Sequence, residues 1–264
     1  MNQILFPSIN LKLNIPNIAF SIFGIEIYWY AIIITFAIVI SILLMKRQNG
    51  KYKINFDDII KLLIFVLPIT IIGARIYYVL FKFDYYKNNL IEIFNIRNGG
   101  LAIYGGIISG IIVIIIYCKI KKIKILDLLD YIAPYLALGQ SIGRWGNFFN
   151  IEAYGIETNS IFRMGIIENS KYIEVHPTFL YESISTLIIF IILNRISKNR
   201  KYSGQIICLY LLMYSFIRMI IEQIRSDSLI FQGFKISQII SLIIFIISIL
   251  LIISSKIQNR KSNK

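Results

Sequence analysis

Histidine is nearly absent from this chain and cysteine is rare: His176 stands alone, and Cys118 and Cys208 are the only thiols. One imidazole and two separated thiols supply no ligand set for a transition metal, and neither cysteine lies near a polar cluster that would activate it as a nucleophile. Both read as reduced, buried, inert side chains at the ends of apolar runs. Acidic residues are scarce as well, 14 against 28 Lys and Arg, a formal net charge of +14. No Pro-rich linker, internal repeat or separate soluble segment interrupts the chain. A secondary transporter would be expected to show inverted repeats with charges near the membrane midplane, and neither is visible. The run 236–255 has no lysine, which removes a rhodopsin-like receptor.

Apolar residues are plentiful. They make up 57% of the chain, and the mean hydropathy of +0.70 is far outside the range of a soluble domain. Crossing about 30 Å of hydrocarbon takes about 18 or more apolar residues. Seven runs qualify, at roughly 20–45, 59–81, 99–118, 126–143, 177–193, 204–224 and 236–255. The first is too long for the h-region of a signal peptide, and it lacks a basic flank and a small-residue cleavage site. The expectation is an all-α polytopic membrane protein, a single transmembrane domain over 1–264 with a small extracytoplasmic cap at about 150–176.

Basic residues cluster in alternate connections: Lys46, Arg47, Lys51 and Lys53; Lys119, Lys121, Lys122 and Lys124; Arg195, Lys198, Arg200 and Lys201; and the tail with Lys256, Arg260, Lys261 and Lys264. Retention of positive loops in the cytoplasm then puts the N-terminus outside and the C-terminus inside. Four short clusters on one membrane face suit anionic headgroups and form no stripe for nucleic acid.

Charged residues inside spans are functional candidates by default, because each costs at least about 2.5–3.5 kcal/mol on insertion scales. Here they are Arg75, Glu182, Arg218 and Glu222, with Arg144 and Arg225 at span ends. Under the deduced topology all of them fall in the outer half of the membrane, which predicts a hydrated polar cavity there. Arginine outnumbers acid in that group, and guanidinium forks match phosphate bidentately, so a phospholipid headgroup fits. Plainer readings compete for several of these residues. Gly106 with Gly110 and Gly139 with Gly143 have the spacing of helix-packing faces. Arg218 and Glu222, at i and i+4, would satisfy each other; Tyr28, Trp29 and Tyr30 suit an interfacial aromatic belt; and His176 before Pro177 suits a helix start.

The stretch GRWGNFFNIEAYG, Gly143 to Gly155, resembles the signature of the bacterial prolipoprotein diacylglyceryl transferases. IYWYAI, GGLAIYGGIISG, HPTFLYES and YSFIRMIIEQIR, in that order along the chain, extend the resemblance over most of its length. It implies a seven-helix enzyme of the bacterial plasma membrane with its active site on the extracytoplasmic side. Such an enzyme moves the diacylglyceryl group of phosphatidylglycerol to the thiol of the lipobox cysteine of a preprolipoprotein and releases glycerol 1-phosphate, the first step of lipoprotein maturation. No cofactor, metal or nucleic acid is implied. Carried over by residue, Arg144, Asn147, Asn150, Glu152 and Gly155 would bind phosphatidylglycerol, and Arg218, Glu222, Tyr104 and Tyr30 would be catalytic. Tyr104 stands where many members have a histidine, which removes an imidazole base from that position.

Overall fold

The computed structural model describes residues 2–262 other than Arg97 and Asn98. The side chains of the basic tail, Lys256, Arg260, Lys261 and Lys264, lie outside the described residues. The chain opens with strands β1 (Asn2–Phe6), β2 (Leu11–Ile15), β3 (Ile18–Ile22) and β4 (Ile25–Tyr28), which run into helix α1 (Trp29–Lys46). Then come α2 (Phe56–Phe81), the single turn α3 (Phe83–Tyr86), α4 (Ile103–Lys121) and α5 (Ile125–Asn150). β5 (Met164–Glu168) and β6 (Lys171–Val175) precede α6 (Thr178–Ile196) and α7 (Gln205–Ile224); β7 (Ile230–Phe231) and β8 (Phe234–Lys235) lead to α8 (Ile236–Ser262).

Six of these helices, α1, α2, α4, α6, α7 and α8, are long and apolar enough to cross a membrane. α5 has the length but is diluted by Asp127, Asp130, Gln140, Arg144, Asn147 and Asn150. The first helix starts later than the apolar run suggests. Residues 18–28 alternate and are rich in β-branched and aromatic side chains, and Phe23 (φ +49°) and Gly24 (φ +77°) make a two-residue turn, so they pair as a hairpin. Most outward positions on the long helices are Ile, Leu or Phe left exposed by the protein itself, as a lipid-facing surface requires.

The chain forms two compact units, residues 48–128 and residues 1–47 with 129–264. In the first, α2 and α4 pack antiparallel. Tyr117 Oη donates to the Asp58 carbonyl at one end (3.0 Å) and the Ala102 amide to the Ala74 carbonyl at the other (3.0 Å). Small residues let the helices approach: a Cβ on Gly105 would lie 3.0 Å from Ala74 Cα, and one on Gly110 would lie 3.0 Å from Thr70 Cγ2. Gly106 and Gly110 both face α2, but the close approach is at Gly105 and Gly110, a Cβ on Gly106 lying 3.5 Å from the Thr70 carbonyl oxygen. Gly139 faces open space, and Gly143 meets only Ile34 (3.3 Å), so that spacing is used at one position.

In the second unit α5 is the central post. Tyr131 donates to the Met45 carbonyl of α1 (2.7 Å), and Ser141 and Ser183 each donate to the other's carbonyl (2.8 Å both), locking α5 to α6. Asp130 on α5 is fully buried and caps the start of α7 from outside that helix. It accepts from the Gly204 amide (2.7 Å), the Ile207 amide (2.8 Å) and Arg200 Nη1 (2.9 Å), so three donors offset the cost of burying its charge. Above the helices a sheet of order β2-β1-β5-β6 joins the N-terminal strands to the segment 164–175, through Ile4 opposite Ile166. Ile4, Met164, Ile166 and Val175 from this sheet pack on Phe148 of α5 and Phe179 of α6. Residues 2–15 thus form one sheet with the connection after α5.

Candidate active site

Two of the span arginines meet on one carboxylate. Glu182 of α6, 2% exposed, pairs through Oε1 with Arg144 of α5 and through Oε2 with Arg218 Nη1 of α7 (3.2 Å). Tyr214, one turn before Arg218, also donates to Oε1 (3.2 Å), and its ring stacks on that of Tyr210 (5.8 Å between centroids). Glu222, 1% exposed, lies 2.6 Å from Arg218 Nη2 but out of line for a hydrogen bond, so the charges are matched and the geometry is loose. Sequence reasoning leaves a net positive pocket. The geometry instead gives two guanidiniums balanced by two buried carboxylates, because Arg75 is taken up by backbone carbonyls and Arg225 by Asp227.

The remaining signature residues extend the network outward from Arg144. Arg144 Nη1 donates to Asn147 Oδ1 (3.1 Å), Asn147 Nδ2 to Glu152 Oε1 (2.8 Å), and Asn150 Nδ2 to the same oxygen (3.4 Å). Glu152 reaches back because α5 ends in a left-handed turn, with Ile151 at φ +50° and Ala153 at φ +56°. Neither is a glycine, and such a conformation costs about 1–2 kcal/mol per residue. The turn is held by the Glu152 amide on the Asn147 carbonyl (3.1 Å) and by Thr178 Oγ1 on the Ala153 carbonyl.

Gly155 closes the arrangement. Its amide donates to the His176 carbonyl (2.9 Å), and the neighbouring Ile156 amide donates to the Ile224 carbonyl (2.7 Å) at the end of α7. A Cβ at 155 would come within 2.7 Å of His176 Cβ and 2.8 Å of the Ile224 carbonyl oxygen. The absence of a side chain there allows the turn after α5, the entry to α6 and the exit of α7 to interlock. These are the three helices that present Arg144, Glu182 and Arg218. Tyr30 joins from α1: a Cβ on Gly146 would sit 2.6 Å from the Tyr30 ring, so that ring lies flush on the signature helix.

Other candidates are placed differently. The Arg75 guanidinium, in the unit 48–128, donates to five backbone carbonyls: Glu92 (2.7 Å), Ile93 (2.8 Å), Asn95 (3.0 Å), Gly99 (2.8 Å) and Gly100 (3.0 Å). All five of its N–H groups are taken. Tyr104, 40% exposed, stands on the first turn of α4 in the same unit. His176 faces Tyr181, with 3.2 Å between Nδ1 and the phenol oxygen. Arg225 grips Asp227 through two hydrogen bonds (2.8 and 2.7 Å). Burial opposes ionisation of Asp227, but these bonds and the guanidinium charge outweigh it and hold the carboxyl below its usual range. Burial, helped by the hydrogen bond to Glu168, pushes the Tyr154 phenol up to about 12.

The model of the prolipoprotein diacylglyceryl transferase family matches residues 17–254. The chain belongs to that family. A phosphatidylglycerol–prolipoprotein diacylglyceryl transferase of Finegoldia magna is 45% identical over 248 residues, covering 94% of this chain and 98% of the relative. Proteins of the same name from Listeria innocua (44% identical, covering 91% of this chain and 90% of the relative) and Clostridium novyi (43%, 94% and 98%) are also similar to it. Within a diacylglyceryl transferase, the paired arginines and the signature turn make one connected polar network.

Two buried residues that matter to this arrangement are not apparent from the sequence. Asp130 looks like one polar residue in an apolar run, and its partners are backbone amides of another helix. Glu182 shows only as a charge in a span; that it bridges two arginines depends on how three helices pack.

Proposed function

We propose that this protein transfers the diacylglyceryl group of phosphatidylglycerol to the lipobox cysteine of a preprolipoprotein at the extracytoplasmic face of a bacterial plasma membrane. The observation that carries this reading is the convergence of Arg144 and Arg218, from different helices, on a single anionic group. In the reaction the cysteine thiolate attacks the glyceryl carbon, a C–S bond forms, and the C–O bond to phosphate breaks with its electron pair leaving on the phosphate. Negative charge grows on the departing glycerol 1-phosphate, and guanidiniums already fixed in place stabilise it without reorganising. The thiol proton leaves to water or to the phosphate. With a thiol pKa of about 8.5, ionisation at pH 7 costs only about 2 kcal/mol, so position 104 need not supply a strong base. On this reading Arg144 and Arg218 hold phosphate, and Asn147, Asn150 and Glu152 orient Arg144 and the headgroup hydroxyls. Tyr30 and Gly155 keep α1, α5, α6 and α7 in register, Tyr104 orients substrate by hydrogen bonding, and Glu222 balances Arg218.

Seven crossings are favoured by parity. β1 lies before α1 and β5 after α5, and the two strands pair, so an even number of crossings separates them. α1, α2, α4 and α5 supply four, which requires α5 to cross despite its polar content. Gly155 and Arg225 bridge across α6 and α7 in the same way. With α8 the total is odd, and the basic connections then favour the N-terminus outside. The test is direct: membranes containing the protein are incubated with labelled phosphatidylglycerol and a lipobox peptide. A thioether-lipidated peptide with glycerol 1-phosphate released is expected, and an unmodified peptide sinks the reading.

A further inference from the structure

Glu182 occupies the place where a phosphate would be expected. It lies between two guanidiniums, is nearly inaccessible, and accepts a third hydrogen bond from Tyr214. We infer that Glu182 is a resident counter-anion: the phosphodiester of the lipid takes over its arginines, and its charge then expels the phosphate monoester that the reaction leaves behind. This rests on the transfer reaction proposed above.

The argument is one of charge. Arg144 and Arg218 bring two positive charges, and Glu182 and Glu222 bring two negative ones. Of the charged groups around them, Arg225 is matched by Asp227, and Glu152, held by Asn147 and Asn150, is opposite in sign to Lys235, whose Nζ donates to the carbonyls of Glu222 (2.6 Å), Gln223 (3.1 Å) and Arg225 (3.0 Å), so the balance is unchanged. His176 faces Tyr181. A phosphodiester carries one negative charge, whereas a phosphate monoester carries about 1.5 to 2 at pH 7, with a second pKa near about 6. Two arginines without a resident carboxylate would hold the monoester more tightly than the diester, and the product would block the site. With Glu182 beside them, the extra product charge meets a like charge in a water-poor environment, where repulsion over a few ångströms is strong. The cluster therefore accepts the monoanion and rejects the dianion.

The test measures equilibrium binding to the full-length protein in detergent, using labelled glycerol 1-phosphate as the monoester and glycerophosphoglycerol as the diester. This readout does not depend on transfer, so an enzyme that lipidates no peptide fails the functional reading while the binding ratio still decides this one. In the unaltered protein, the affinity for monoester relative to diester is expected to fall by about threefold or more between pH 5 and pH 7.5, as the monoester gains its second charge. The diester keeps one charge across this range and serves as the reference for changes in the protein. In Glu182→Gln, the monoester is expected to bind about 10- to 100-fold more tightly than in the unaltered protein, the scale of one removed like charge. Later turnovers should slow more than the first. A ratio in the unaltered protein that rises with pH, or no binding of either ligand to either protein, overturns the inference. So does monoester binding in Glu182→Gln that is unchanged or weaker. If Glu182→Gln does not fold, the pH dependence of the ratio in the unaltered protein decides alone.

Discussion

Arg75 and the pair Arg144 and Arg218 begin as the same kind of residue, an arginine in an apolar run, and end in opposite environments. Arg75 is buried among backbone carbonyls that use every N–H it has, and it ties residues 92–95 to Gly99 and Gly100. Arg144 and Arg218 are paired with side-chain carboxylates and, among the described residues, keep N–H groups uncommitted. A carbonyl cage neutralises no charge and cannot be exchanged without unfolding the loop that forms it. A carboxylate partner neutralises charge, and another anion can compete with it. The cost of placing an arginine in a membrane span marks a residue as important, and the chemistry of its partner separates a structural clasp from a binding site.

The largest effects are expected where the exchangeable pair is altered. Arg144→Lys keeps the charge and loses the fork, and should cut transfer by more than about 100-fold while the protein remains inserted. Labelled-lipid transfer beside a membrane-insertion assay measures this, and near-normal transfer would make Arg144 an anchor. Replacing Arg218 and Glu222 together by Gln and Leu leaves no uncompensated charge between them, so that variant should insert at least as well as Arg218→Gln alone and still be inactive. Recovery of transfer in the double variant would make the pair merely structural.

Gly155→Ala comes next. The added methyl meets the His176 Cβ and the Ile224 carbonyl oxygen, so the interlock of three helices must open. A lower midpoint of thermal unfolding should accompany loss of transfer, whereas loss of transfer at unchanged stability would point to direct lipid contact at this position. Tyr104→Phe should lower transfer about 10- to 100-fold, the scale of one hydrogen bond to a charged group, and Tyr104→His should retain much of it. A rate at background with lipid binding intact would give the phenol a part in proton transfer.

Arg75→Lys should be the mildest for chemistry and the plainest for structure. Faster amide exchange at residues 90–96 and 99–101 is expected with transfer reduced less than about 10-fold, since lysine offers three donors where five are used. A loss as deep as that of Arg144→Lys would erase the contrast between the two arginine environments.

Much of this was legible beforehand because membrane spans announce themselves by length and apolarity, and the run of polar residues after Gly143 announces a site. The i, i+4 pair Arg218 and Glu222 follows from helix geometry and is found as expected. What escaped was set by partners distant in sequence. Residues 2–15 carry no local sign of a sheet whose other half is made at 164–175. The cage of Arg75 is built from carbonyls, which every residue type provides. Asp130 caps a helix that begins more than 70 positions later. The start of α1 was misplaced because hydrophobicity alone does not separate a strand run from a helix run.

The sheet above the helices also bears on how the molecule is made. β1 and β2 leave the ribosome before α1, yet β1 must wait for β5, synthesised only after four long helices have followed it. An isolated two-stranded hairpin is marginal in water, so during synthesis this N-terminal pair remains provisional and its closure is a late event of high contact order. The seam between Ile4 and Ile166 therefore works as a completion mark: it forms only after the intervening helices have been made. Until then β1, which ends between β2 and β5, keeps one strand edge unpaired.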